Sequence, residues 1–404
     1  MAVSTPILDD AWAKRFQAAH PAFRMLQVNT GTKGICAPSV IEALVDNTRA
    51  VEEGGYAGYA AMQGRATAAR DRLAATLGAK PSELAFTGNA SASLNVALSL
   101  PWESWGEPVD VLISDHEYPT TNMVFGYLQQ IGKIRLVRYA HRTDAEGLVE
   151  ALERSVTPGT RVAVLSHVDC NEGRRADAAA FASWARSRDI VSFVDGAQAV
   201  GQFPVDLGRI GCDLYITNGH KWLYGPNGVG LLYVRDGFET CLVPTMVGSG
   251  TMHFQPDAVY VGEPGWTEGA HRFELTATRP AQVLATMDTA LDWLEGLGPG
   301  AVEARQRALA EHLKRRILEQ PDRYTLRTPI AWEESSALVS IGIVGCDGER
   351  IAHWCGRALS EGEGFLRPVP EFDALRISTA YYNTEEDYER LFGLLERYRR
   401  ETVS

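Results

Sequence analysis

From residue 84 to residue 234, short apolar runs alternate with amphipathic stretches, and that alternation limits the folds open to this chain. Leu84-Ala85-Phe86, Val109 to Ser114, Ile134 to Tyr139, Arg161 to Ser166 and Ile190 to Val194 read as strands. Helical period lies between them, from Ser91 to Leu100, Asn122 to Ile131, Gly147 to Val156 and Ala176 to Ser187. Asp213 to Ile216 and Gly228 to Val234 add two more strands. Strands and helices taking turns over so many units give a mostly parallel sheet covered on both faces. Such sheets bind ligands beyond the carboxyl ends of their strands, so the residues just past each strand are the first candidates for a site.

The flanks are plainer. Residues 1–25 mix charge with aromatics and read as an N-terminal arm with a short helix. Pro38 to Val51 is helical by period, and Gly54-Gly55-Tyr56-Ala57-Gly58-Tyr59 is expected to break it into a loop. Tyr56 and Tyr59 there either line a pocket or interface, or merely pack. Arg65 to Leu77 is a helix ended by Gly78. Gly248-Ser249-Gly250 and Gly262-Glu263-Pro264-Gly265 make the region after Leu242 loop-rich. Gln282 to Leu297 and Val302 to Leu318 are helices, followed by strands at 337–344 and 375–378 and helices at 348–361 and 385–398. The expected division is an arm (1–25), a large sheet domain (26–280) and a smaller α+β domain (281–404).

Three stretches carry chemistry. Lys221 sits in a loop between two strands. A lysine there points to solvent, or is held in a partly desolvated pocket where its pKa falls and its amine becomes a nucleophile able to form a Schiff base. Asp195 ends the apolar run Val191 to Val194 and directs a carboxylate into the crevice. Gly88-Asn89-Ala90-Ser91 opens a helix whose free N–H groups, with the Ser91 hydroxyl, favour an anion. Together these are what pyridoxal phosphate needs: an amine for its aldehyde, an acid to keep its ring nitrogen protonated, and a phosphate cradle.

The three stretches, in this order, resemble the fold-type I pyridoxal-phosphate enzymes of the class V aminotransferase group, and above all its isopenicillin N epimerase-like and cysteine desulfurase-like members. Further marks are Asn29-Thr30-Gly31, Glu117-Tyr118-Pro119, Gly219-His220-Lys221-Trp222-Leu223, and Leu375-Arg376-Ile377-Ser378 followed by Tyr382-Asn383-Thr384. The resemblance implies an α/β fold with a mostly parallel seven-stranded sheet and a smaller α+β C-terminal domain. It implies pyridoxal phosphate held by Asn89, Ala90, Ser91, Tyr118, Asp195, Gln198, Asn218, His220 and Lys221, with Tyr118 stacked on the ring. Tyr118, Asp195, His220 and Lys221 are the catalytic candidates. Arg376 is expected to grip the substrate carboxylate, with Asn29 beside the substrate and Arg367 as a second candidate. The Tyr56/Tyr59 pair offers an aromatic wall for a substrate larger than cysteine. Residues 271–280 are similar to a segment that crosses a dimer and brings a threonine, here Thr278, to the partner's cofactor phosphate. Ala277 stands where relatives carry glycine, and alanine resists positive φ. Cys170 matches an asparagine that contacts the cofactor in desulfurases, with Asn171 next door, so the loop is shifted by one residue or the contact is lost. His167 reads as a packed strand-end histidine.

Composition excludes some rivals. A formal net charge of -12 leaves no basic excess to neutralise nucleic-acid phosphates. The six cysteines are scattered without a Cys-x-x-Cys pair, so neither a metal site nor a redox motif is expected. No apolar run suits a membrane span, no signal peptide opens the chain, and a reduced cytoplasm is the expected location. Desulfurases carry a nucleophilic cysteine on a mobile loop before the carboxylate arginine. Residues 362–370 have none, and Cys355 falls in a helix. The first expectation is therefore C–S β-elimination from a cysteine conjugate rather than persulfide formation. Epimerisation, decarboxylation with or without oxidation, and transamination begin from the same bound substrate. Epimerisation needs a second proton donor, for which Tyr56, Tyr59 and His116 are candidates. Outside enzymes, the rival is a relic fold that binds a metabolite or a partner protein. A homodimer acting on a small amino acid, with the cofactor near the subunit interface, completes the expectation.

Overall fold

The computed structural model describes residues 6–106, 108–142, 144–253, 265–274 and 277–403. In chain order the helices are α1 (Asp10–Ala18), α2 (Pro38–Thr76), α3 (Ala90–Leu94), α4 (Pro119–Gln130), α5 (Ala145–Ser155), α6 (Ala178–Arg186), α7 (Leu207–Ile210), α8 (Ala281–Leu297), α9 (Pro299–Leu318), α10 (Gly348–Ser360) and α11 (Glu385–Val403). The strands are β1 (Leu26–Gln27), β2 (Leu84–Thr87), β3 (Val109–Ser114), β4 (Ile134–Tyr139), β5 (Thr160–Ser166), β6 (Val191–Asp195), β7 (Leu214–Asn218), β8 (Gly230–Val234), β9 (Met252–His253), β10 (Gly265–Trp266), β11 (Tyr324–Leu326), β12 (Leu338–Ile343), β13 (Gly364–Phe365), β14 (Arg367–Val369) and β15 (Ala374–Ser378).

Seven strands lie side by side in the order β2-β8-β7-β6-β5-β3-β4. Only β8 runs against its neighbours, while β4, β3, β5, β6 and β7 pair in parallel. The chain thus has the expected α/β fold. Successive residues bury on opposite faces: Val111, Ile113, Val162 and Val164 join one apolar cluster, and Leu112, Ala163 and Leu165 join the other. With both faces covered, polar residues have no solvent side, which is why these strands read as continuous apolar runs.

The C-terminal part builds an antiparallel sheet in the order β11-β12-β15-β14. Its short strands β11 and β14, like the two-residue β13, were not expected from sequence. β13 pairs in parallel with β1, so Leu26 and Gln27 are hydrogen-bonded into this C-terminal part. The arm helix α1 follows the same path, with Trp12 and Phe16 against Trp293 and Tyr381.

One expectation holds only in part. The helix is broken at Gly55, which leaves helical geometry at φ 55° and ψ -137°, but the break is a kink between two helical segments of α2 and not a loop over Gly54–Tyr59. Each glycine costs a helix about 1 kcal/mol. Packing along α8 offsets that loss: Asn47 Nδ2 donates to Thr286 Oγ1 at 3.0 Å, and Arg72 pairs with Asp288, Asp292 and Glu295. Gly262 to Pro264 of the expected loop region, and Leu275 and Thr276, lie outside the described residues.

Candidate active site

The carboxyl ends of the parallel strands lie level and build one cavity. Ser166 at the end of β5 pairs with Asp195 at the end of β6, and Asp195 pairs with Ile216 on β7. Loops beyond those ends bring Tyr118, Cys170, Ala197, Gln198, His220 and Lys221 to its wall. Asn89, Ala90 and Ser91 enter from the start of α3, Thr32 from the N-terminal turn, and Arg367 and Arg376 from β14 and β15. The space enclosed is about 310 Å³.

Lys221 is held from behind. Gly34 N donates to His220 O at 2.9 Å. A Cβ on Gly34 would meet Lys221 O at 2.1 Å, so only glycine lets the N-terminal turn lie so close. Burial brings the Lys221 ammonium down to about 8, against the opposing pull of Asp195. Its Nζ lies 5.8 Å from the centre of the Tyr118 ring. Tyr118 is aimed by Pro119, which starts α4.

Asp195 is buried, and its Oδ1 accepts from Ala197 N at 2.9 Å. Burial raises its pKa. Behind it lies a second buried carboxyl: Glu117 accepts from Ser166 N at 3.0 Å and from Ser166 Oγ at 2.8 Å. Burial, then the charge of Asp195, pushes Glu117 up to about 7. His220 is lowered to about 4 by burial and by the Lys221 and Lys33 charges, so its ring is neutral near pH 7. Gln198 fixes the walls: its Nε2 donates to Gly31 O at 2.8 Å and its Oε1 accepts from Trp222 Nε1 at 2.9 Å.

Arg376 is buried and firmly oriented. One terminal nitrogen donates to Cys170 O at 2.8 Å, and the other to Asn29 Oδ1 at 3.2 Å and Thr32 Oγ1 at 3.3 Å. Burial lowers its pKa to about 10. Arg376 Nε and Asn29 Nδ2 remain buried without a partner. Among the residues lining the cavity, Asp195 is the sole carboxylate, facing Lys221, Arg367 and Arg376.

Not every candidate gathers here. Tyr56 is 85% exposed, and with Tyr59 it lines a separate open cavity of about 620 Å³ beside Arg70, His271 and Arg279. Both tyrosines follow the Gly55 kink on α2, which packs along α8. Within one chain they do not line the Lys221 cavity. Thr278 is exposed and outside the Lys221 cavity, and Ala277 takes φ 58°, the conformation its matching glycine would adopt freely. His116 is drawn aside, its Nδ1 3.8 Å from Asp169 and 3.9 Å from Glu172. His167 is buried with Nδ1 2.9 Å from Tyr215 OH, a packed strand-end histidine as expected. Cys170, not Asn171, lines the cavity, so the neighbouring amide has not taken over that position. Thr32, Ser166 and Glu117 escaped sequence reasoning. Ser166 ends a strand as Asp195 does, and that signal would have found it.

The donors present fit pyridoxal phosphate. An amine lies beside a buried carboxylate and under a tyrosine ring, and Asn218 Oδ1 and His220 Nδ1 are buried without partners around them. When bound, that group supplies an electron sink for the pair left at a substrate's Cα.

The fold and this cavity define a pyridoxal-phosphate-dependent enzyme. The chain belongs to the class V aminotransferase family, whose model matches residues 37–391. It is 34% identical to isopenicillin N epimerase of Streptomyces clavuligerus over 342 residues, 81% of this chain and 83% of that one. It is 29% identical to a probable cysteine desulfurase of Pseudomonas putida over 81% of each chain. Among solved structures it resembles the complex of the cystine C–S lyase C-DES with its product cysteine persulfide, at 25% identity and TM-score 0.81, covering 95% of this chain and 98% of that one. No helix of the described residues is long and apolar enough to cross a membrane.

Proposed function

We propose that the enzyme breaks the C–S bond at Cβ of a cysteine conjugate, with water, to give a thiol, pyruvate and ammonia. The observation that carries this reading is the segment β13–β14. It presents Arg367 to the cavity, and no cysteine stands in it to take up the departing sulfur. Cys170, the one cysteine on the wall, is pushed up to about 12 by burial and by Asp169, so it stays a thiol and not an acceptor thiolate. The likeness to a cystine C–S lyase supports the same chemistry.

In this reading Lys221 carries the cofactor and then takes the Cα proton. Asp195 keeps the ring nitrogen protonated, and Tyr118 covers the ring. Asn89, Ala90, Ser91 and His220 surround the phosphate end, while Gln198 and Asn218 shape the ring's edge. Arg376, steadied by Asn29, grips the substrate carboxylate.

Incubation of the holoenzyme with an S-alkyl cysteine in deuterated water tests the reading. Thiol and pyruvate are expected in equal amounts. Deuterium at Cα with inverted configuration and no thiol would mean epimerisation instead, the activity named for the relative at 34% identity. Epimerisation needs a second proton carrier, and His116, Tyr56 and Tyr59 all stand outside the cavity wall, which weighs against it within one chain. Carbon dioxide would mean decarboxylation, and keto-acid exchange alone would mean transamination.

The working unit in this reading is a homodimer in a reducing cytoplasm, which suits six unpaired cysteines. Thr278 is exposed at the open cavity's margin, where a second copy's phosphate end is expected to meet it. Sedimentation of the holoenzyme should give a dimer. A fully active monomer would remove this part.

A further inference from the structure

Arg367 and Arg376 are directly opposite each other on the antiparallel strands β14 and β15, and both line the Lys221 cavity. Opposed residues on such a pair hold their Cβ atoms about 5 Å apart, and like charges there are destabilising. Their surroundings differ. Arg376 is buried and tied to Cys170, Asn29 and Thr32. Arg367 is exposed and makes no ion pair or side-chain hydrogen bond with the described residues. Its charge is nonetheless felt at both Arg376 and Lys221. It does not sit on a free loop: β14 is paired to β15, and the adjoining β13 is paired to β1. A rigid strand therefore holds an uncompensated cation beside the arginine suited to an α-carboxylate.

We infer that Arg367 reads a second anionic group on the substrate, so that the preferred conjugates carry an acid on the sulfur substituent as well as the α-carboxylate. The inference rests on the amino-acid reading above and deepens it. One guanidinium takes the α-carboxylate, and the next one outward takes the distal anion. The cationic wall that is costly when empty then becomes the source of selectivity.

Two analogues without a leaving group test this by equilibrium binding. L-2-aminoadipate has a distal carboxylate, and L-norleucine is its uncharged counterpart. Each is titrated into the holoenzyme while its visible spectrum is followed. The wild type is expected to bind aminoadipate about tenfold tighter or more. Arg367→Gln should abolish that preference and leave norleucine within about twofold. Arg367→Lys should restore part of it. Equal affinities in the wild type, or a preference surviving in Arg367→Gln, would overturn the inference. So would a variant that loses both ligands alike, because Arg367 would then share the α-carboxylate. A spectrum that neither analogue changes overturns the amino-acid reading, and the inference with it. Arg367 is exposed, so thermal unfolding of the variants should match the wild type and separate lost selectivity from lost fold.

Discussion

A Lys221→Ala chain mixed with pyridoxal phosphate and desalted is expected to lack the visible band of the wild type, and its activity should fall by about 10³-fold or more. Lys221 is the lone lysine on the cavity wall, so no other amine stands ready to replace it. The fold should survive, because the lost side chain ends in the cavity and not in the core. The same lysine sets a pH dependence. Burial lowers its pKa to about 8, and only the neutral amine attacks the cofactor aldehyde. Roughly half the amines are then neutral at pH 8 and roughly a tenth at pH 7. The rate of cofactor uptake by the apoprotein should rise about tenfold per pH unit below 8 and level off above about 9. The growth of the visible band reports that rate directly. A profile still rising at pH 10 would mean that the cavity does not desolvate this lysine.

What the sequence made legible follows from how strongly each feature is constrained. Buried parallel strands must be apolar on both faces, so β5, β6 and β7 stood out as largely apolar runs, while β4 alternates with Arg135 and Arg138. Asp195 and Lys221 were legible because a charge at the end of such a run is conspicuous. Weakly constrained elements were lost. β13 and β14 are two and three residues long, and such pieces are made by pairing with distant partners rather than by their own pattern. The glycines at 54, 55 and 58 pointed to a loop, but contacts with α8, more than two hundred residues away, outweighed local propensity. Tyr56 and Tyr59, on that stretch, line the separate open cavity and not the wall around Lys221. Arg367 was visible as a residue, yet its registry opposite Arg376 was not, since the hairpin that creates it was unrecognised. Glu117 shows the reverse case. Its motif was noticed for the tyrosine beside it, while the acid itself folds behind Ser166 and becomes part of the same electrostatic unit as Asp195.

Asp195→Asn is the informative counterpart to the lysine variant, because it should separate the band from the rate. Asparagine fills the same space and can still accept from Ala197 N, so the cavity should keep its shape. Lys221 is untouched, so the visible band should form. With pyridoxal phosphate bound, Asp195 would be the acid that keeps its ring nitrogen protonated. An amide cannot hold that proton. Breaking a buried charge pair costs about 3–5 kcal/mol, which corresponds to a kcat lower by about 10² to 10⁴-fold. The apoprotein should respond in the opposite direction. Burial raises the folded-state pKa of Asp195, so ionisation at this site favours folding less as pH rises above the ordinary carboxylate range. Removing the acid removes that penalty, and apo Asp195→Asn should be at least as stable at pH 8 as the apo wild type. The two results exclude each other's trivial explanations. A slow enzyme with full band and undiminished stability has lost a charge and not a structure. A variant that lost band, stability and activity together would instead mean that Asp195 serves mainly to build the end of β6.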